Sequence, residues 1–504
     1  MDTPGWISRS VSRLRPPNSQ SAQGKAGDTA RTNAAPNSAK LNKEASAGES
    51  KVTPSGQAVR SMRERLDGTL RHTEEALSPR VLRRTLHELQ AIVDSQLSEI
   101  EAGKRAKGVA GWYARATPEE RRDCWILMSE QFAPDPAKLK QAREQYEAAL
   151  GTSEEGAAEV KLRKAFYSPR TRLLQRFAVF PEGMRFLVDL RAEMLPELKS
   201  DKRLLALDAE LEALFSTWFD VAFLELRRIS WDSPASLIEK LIKYEAVHDI
   251  RSWADLKNRL DSDRRCYGFF HPRLPDEPLI FVEVALLDEM AGAVTPLLDE
   301  SGAVADLNKA THAIFYSISN TQPGLKGVSF GDSLIKRVVD TLRADFPRLK
   351  TFVTLSPIPG LRAWLGKNAA RLLEQLSDKE RRELGRAVGF EPPGVEHFLS
   401  AADKPQNLDA KSPVRRMLMR CAAQYLSKEL VDNKPIDPVA RFHLGNGARV
   451  ERINWAGDLS NKGIKQSFGL MVNYLYDLKR INKHRQQLAN GHIPASGDVT
   501  DLHF

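Results

Sequence analysis

The sequence predicts an α+β protein in which an all-helical region precedes a mixed α/β domain. Two patterns carry this. Between about residues 60 and 225, apolar side chains recur every three or four positions, whereas from residue 279 short runs of β-favouring residues alternate with helical patterns. The length of 504 residues adds a third argument, because one core stops growing near roughly 250 to 300 residues. The boundaries read as a disordered leader over 1–58, a helical bundle over 59–228 and the mixed domain over 229–504.

The leader is rich in Ser, Ala, Pro, Asn and Gly. Beyond Trp6, Ile7 and Leu14 it holds almost nothing large and apolar, so burial cannot offset its chain entropy. Its first 27 residues are Arg-bearing, Ser-rich and poor in acids, a composition shared with mitochondrial presequences. It also carries much of the net charge. Residues 1–60 hold nine Lys or Arg against four acids, so the other 444 residues supply only +4 of the formal +9. That is no polyanion-binding signature, and no nucleic-acid partner is expected. The residual basicity suits an anionic ligand and is equally explained by solvated helix faces.

In the helical region, Val81-Leu82-Thr85-Leu86-Leu89-Ile92-Val93-Leu97 and Leu204-Leu205-Leu207-Leu211-Leu214-Phe215 have helical spacing. Ser78-Pro79, Thr117-Pro118-Glu119-Glu120 and Ser168-Pro169 mark helix starts: a capping hydroxyl precedes a proline at the first helical position. With no strand and no chemical motif here, packing or oligomerisation is the expected task. No run approaches the ~20 apolar residues of a membrane span, so no membrane partner is expected. Cys124, Cys266 and Cys421 are isolated, and the ten histidines show no HxH, HxxxH or HExxH spacing, so no metal is expected.

The mixed domain opens with helices predicted from Ser233-Pro234 through Tyr244 and from Trp253. Strands follow over Leu279–Leu287 and His312–Ser319, both nearly continuous apolar runs of the kind found in central strands. Then come the turn Asn320–Gly327, a helix over about 329–345 and a strand Thr351–Leu355 ending in Ser356-Pro357-Ile358-Pro359-Gly360. A Gly-rich loop entering a helix N-terminus offers unpaired N–H groups and a positive dipole end to an anion. Gly324, Gly327 and Gly331 suit a pyrophosphate cradle. Their spacing is neither a P-loop nor a dinucleotide fingerprint, and three glycines also make an ordinary surface turn. The order strand, Gly-loop, helix, strand resembles the CoA-binding core of the acetyltransferase-like (GNAT-like) fold, in which two neighbouring strands splay apart around pantetheine.

More specific segments follow: Tyr267–Leu279, Ala313–Ser319, Ser356-Pro357-Ile358-Pro359-Gly360, Phe442-His443-Leu444-Gly445-Asn446-Gly447-Ala448, Arg452-Ile453-Asn454-Trp455 and Gly469–Tyr474. Together they resemble the malonyl-CoA decarboxylase family over roughly residues 60–480. The resemblance implies a carboxy-lyase converting malonyl-CoA to acetyl-CoA and CO2, in fatty-acid or malonate metabolism. It also implies Ser356 and His443 as the catalytic pair and Lys326, Gly327, Val328, Ser329, Phe330, Gly331 and Asp332 as the CoA-contacting loop. Ser317, Asn446 and Tyr476 are further substrate-contact candidates, while His248 and His271 are read as structural.

These residue types suit the chemistry. Loss of CO2 leaves a thioester enolate, which needs donors at its oxygen and a proton at its carbon. His443 would deliver the proton, and Ser356 would hold the carboxylate or orient the imidazole. The thioester is its own electron sink, so no cofactor is expected. The resemblance further implies a homotetramer. A cytoplasmic location is expected, the mitochondrial matrix being the alternative, and the end Asp501-Leu502-His503-Phe504 is not a peroxisomal address. Two rivals stand beside this reading: a CoA-dependent acyltransferase and a non-catalytic acyl-CoA sensor.

Overall fold

The computed structural model describes residues 78–328 and 334–503. The expected leader, and Ser329, Phe330, Gly331 and Asp332 of the predicted loop, lie outside the described residues.

The helical region runs as α1 Pro79–Val93, α2 Glu99–Tyr113, α3 Pro118–Glu130, α4 Pro136–Ala149, α5 Glu155–Phe166, α6 Pro169–Phe177, α7 Gly183–Met194 and α8 Leu205–Trp218. The three expected starts are present. Ser78, Thr117 and Ser168 accept the N–H groups of Val81, Glu120 and Thr171, and Thr117 with Glu120 closes a capping box. α1 stops short of Leu97 because the Asp94 carboxylate takes the Gln96 N–H at 2.9 Å, offering the backbone a turn in place of the next helical bond. α4 and α5 bury only Ala142 and Ala158, whereas α7 buries seven of its twelve residues, Arg191 among them.

Among the described residues the main sheet holds eight strands: β1 Glu225–Ile229, β2 Arg264–His271, β3 Leu274–Leu287, β4 His312–Asn320, β5 Thr351–Thr354, β6 Ser356–Pro357, β7 Arg449–Asn454 and β8 Met471–Leu475. Their order is β1-β2-β3-β4-β5-β8-β6, with β7 on β8. β1 lies ahead of the expected boundary at 229. It is an edge strand whose Glu225, Arg227 and Arg228 face water, and such charges blunt an edge while hiding it from a search for apolar runs.

β4 and β5 form the parallel pair, in register only from His312↔Thr351 to Phe315↔Thr354. Beyond Leu355 the chain leaves β4, and Ser356 pairs with Val472 of β8 instead. The two parallel strands therefore part at their C-terminal ends. This opening is the acetyltransferase-like arrangement expected from the sequence. One buried apolar cluster runs without interruption from Leu82 of α1 to Val499, so the helical region and one face of the sheet share a core. Among the described residues, no helix is long and apolar enough to cross a membrane.

Candidate active site

Ser356 sits where β5 has passed into β6, held by its pairing with Val472 and by the Pro357-Ile358-Pro359 turn that follows. Its hydroxyl donates to Thr354 Oγ1 at 2.9 Å, and Thr354 Oγ1 also accepts the Tyr474 N–H at 3.1 Å. His443 lies in the last turn of the helix Pro438–Gly445. Asp437 caps that helix by accepting the Val439 and Ala440 N–H groups at 2.9 and 3.0 Å. The same carboxylate accepts the Tyr425 hydroxyl at 3.2 Å and, more weakly, the Gly360 N–H at 3.4 Å. One buried acid thus ties the turn after Ser356 to the start of the histidine helix.

That tie brings together two residues 87 positions apart, with His443 Nε2 3.3 Å from Ser356 Oγ. On the other side of the ring, Nδ1 lies 2.8 Å from the Tyr476 hydroxyl. A neutral ring with its proton on Nε2 satisfies all of these bonds: Tyr476 donates to Nδ1, Nε2–H donates to Ser356, and Ser356 donates to Thr354. The ring stacks on Tyr474 with centroids 4.8 Å apart and meets Phe442 edge-on. Only 3% of His443 is exposed. Burial disfavours the charged imidazolium and pushes its pKa down to about 3. Burial likewise pushes the Tyr474 and Tyr476 phenols well above their usual range.

A cavity of about 1170 Å³ lies beside this pair, bounded on one side by Phe442, Gly445 and Asn446. Lys326, Gly327 and Val328 line it opposite, and Leu279, Ile280 and Asn320 contribute from the sheet. Its remaining wall comes from the helical region through Arg191, Leu195, Leu198, Lys199, Asp208 and Glu212. The region expected to serve packing or oligomerisation thus also forms part of the cavity wall.

The described members of the predicted loop, Lys326, Gly327 and Val328, meet at this cavity with Asn446, while Tyr476 joins the Ser356–His443 pair. Ser317 turns elsewhere, its hydroxyl 2.9 Å from both oxygens of Glu245, which Ser319 also approaches at 3.2 Å. Gly324 does not serve as a phosphate cradle. A Cβ there would lie 1.9 Å from the Val188 carbonyl oxygen, so this glycine is required by contact with α7. Gly327 has φ +85°, a conformation that favours glycine.

Thr354, Tyr474, Asp437 and Arg191 were missed in the sequence. Asp437 before Pro438 carries the signature of a capped helix start. Arg191 had a signal too: it lies on the apolar stripe of Leu187 and Met194, where a cation needs buried partners. Among the described residues, no group of three or more His, Cys, Asp or Glu side chains is placed to hold a metal ion.

Comparison with known proteins places this cleft in context. The malonyl-CoA decarboxylase C-terminal domain profile matches residues 222–503, and the N-terminal domain profile of the same family matches residues 132–219. The mitochondrial malonyl-CoA decarboxylase of Anser anser anser is 36% identical over 425 residues, 79% of this chain and 80% of its own. The malonyl-CoA decarboxylase structure from Agrobacterium vitis superposes with a TM-score of 0.74 at 39% identity, covering 84% of this chain and 100% of that one. The one from Cupriavidus metallidurans gives 0.68 at 42% identity, with 84% and 100% covered. With both domain profiles matched in order and the likeness spanning most of the chain, the protein belongs to the malonyl-CoA decarboxylase family and is a carboxy-lyase.

Proposed function

We propose that the protein converts malonyl-CoA to acetyl-CoA and CO2, with His443 supplying the proton and Ser356 holding the reacting group beside it. The observation that carries this is the hydrogen-bonded sequence Tyr476–His443–Ser356 next to a cavity large enough for a CoA ester. Both ring nitrogens face hydroxyls, and hydroxyls can either donate or accept, so the neutral and the charged ring are both satisfied. At rest the imidazole is neutral. A malonyl carboxylate against Nε2 favours the charged form, and the ring takes a proton from solvent as the anion binds. The bond between carboxylate and α-carbon then breaks, its electron pair moves into the thioester carbonyl, and CO2 leaves. The enolate carbon takes the Nε2 proton, returning the ring to neutral, so each turnover consumes one proton.

The groups bonded to or stacked on the pair are Thr354, Tyr474, Tyr476 and Phe442, all uncharged at neutral pH. Such surroundings solvate a localised carboxylate poorly and favour its loss as CO2. The thioester carries the electrons throughout, so the proposal includes no cofactor. It includes a homotetramer, for which the exposed Val160, Phe166 and Tyr167 of the α4–α5 hairpin and the residue after it offer surface. Fatty-acid or malonate metabolism is the corresponding setting. A cytoplasmic location is part of the proposal, and relatives named as mitochondrial fit the matrix alternative.

Turnover of malonyl-CoA in D2O, after chelation and without any amine, tests the reading. It should release one CO2 per acetyl-CoA and place one deuterium in the new methyl group. A requirement for an amine acceptor would favour the acyltransferase, and absence of turnover the sensor.

A further inference from the structure

Helix α7 meets the cavity loop through three residues spaced three apart. Arg185 donates to the Gln322 side chain. The Val188 carbonyl fills the space where Gly324 would carry a side chain. Arg191 donates from Nη1 to the carbonyls of Gly324 at 2.9 Å and Lys326 at 2.8 Å. Its other donors reach Asp208 of α8 from Nε at 2.8 Å and Glu212 from Nη2 at 3.2 Å. Four donor contacts are thus directed by a side chain that is 1% exposed. A buried guanidinium is tolerated because two carboxylates one helical turn apart on α8 balance it. They also orient it, leaving Nη1 for the loop.

The consequence follows from peptide geometry. In a trans peptide C=O and N–H point opposite ways, so holding the Lys326 carbonyl toward Arg191 turns the Gly327 N–H away from it. That N–H has no partner among the described residues. Gly327 lines the cavity and has φ +85°.

We propose that Arg191, a residue of the helical region, is the positioning residue of the CoA site: it holds the Gly324 and Lys326 carbonyls so that the loop presents the Gly327 N–H to the pyrophosphate. This rests on the reading that the cavity receives CoA. The guanidinium comes from the helical region and acts through two carbonyls, without touching the reacting atoms.

The test compares malonyl-CoA with malonyl-pantetheine, which lacks the nucleotide and its phosphates, using the full-length chain. Arg191→Lys keeps the charge but not the planar fork that spans two carbonyls. It should raise KM for malonyl-CoA and Kd for CoA by about tenfold, with kcat within about twofold, since lost charge-assisted bonds are of that size. Its kcat/KM for malonyl-pantetheine should match wild type. Glu212→Gln should shift KM in the same direction by less. Should Arg191→Lys not accumulate, Glu212→Gln carries the test on both substrates. Equal losses on both substrates, or an unchanged KM for malonyl-CoA, would overturn the proposal and leave Arg191 a packing residue. If wild type itself handled both substrates with equal kcat/KM, the CoA reading of the cavity would fail, and the proposal with it.

Discussion

The two ends of the site, the buried pair and the cavity beside it, are built on opposite principles. At one end, Ser356, His443 and Tyr476 are buried, uncharged at neutral pH and joined by bonds between neutral groups. At the other, Arg191, Asp208, Glu212, Lys199 and Lys326 bring full charges to a wall that opens to solvent. On the proposed reading, the uncharged groups around the imidazole solvate a carboxylate poorly, whereas a pyrophosphate needs donors and positive charge. On the proposed function the contrast separates chemistry from binding, so damage at each end should appear in different kinetic constants.

The largest effect should come from the neutral end. His443→Ala should lower kcat by about 100- to 10,000-fold, the usual worth of a general acid, and leave the affinity for CoA nearly unchanged. Ser356→Ala should fall in the same direction. The double variant should lose much less than the product of the two, because on the proposed mechanism both groups act on one carboxylate and its enolate. Full activity in His443→Ala would remove the neutral end from the chemistry.

A smaller effect is expected at the charged end. Gly324→Ala would place a Cβ 1.9 Å from the Val188 carbonyl oxygen and push the loop off α7. Overpacking of this kind costs about 1 to 3 kcal/mol, measurable by urea unfolding. The same displacement should raise KM for malonyl-CoA while kcat holds. A fall in kcat at constant KM would show that the two ends are not independent.

The smallest concerns the uncharged state itself. The His443 imidazole is pushed down to about 3 in the folded protein, against roughly 6.5 when unfolded. Between those values only the unfolded chain takes the proton, so stability falls as pH drops through the window, by at most about 1.4 kcal/mol per unit. His443→Gln should lose this contribution. In urea unfolding at pH 7 and pH 5.5, the wild type should lose about 1 kcal/mol more than the variant. Equal losses would mean that the ring is not held neutral.

Much of this architecture was legible in the chain. Periodicity and capping pairs marked α1, α3 and α6, and apolar runs marked β3 and β4, because helix and strand repeats are local properties. Ser356 and His443 were legible through their ordered neighbours, the Ser-Pro-Ile-Pro-Gly turn and Phe-His-Leu-Gly-Asn-Gly. β1 was hidden, since an edge strand carries charges where a central one carries apolar residues.

What only the tertiary structure decided is which segments meet. Nothing local places Nε2 of residue 443 against a hydroxyl 87 positions away; that depends on β6 leaving β4 for β8 and on Asp437 bridging to Gly360. Nor does composition reveal that Arg191 holds carbonyls 133 and 135 residues distant. The depressed histidine pKa belongs to the same class. It arises from burial against Tyr474 and the surrounding core, and desolvation is a property of the packed site rather than of the residue that occupies it.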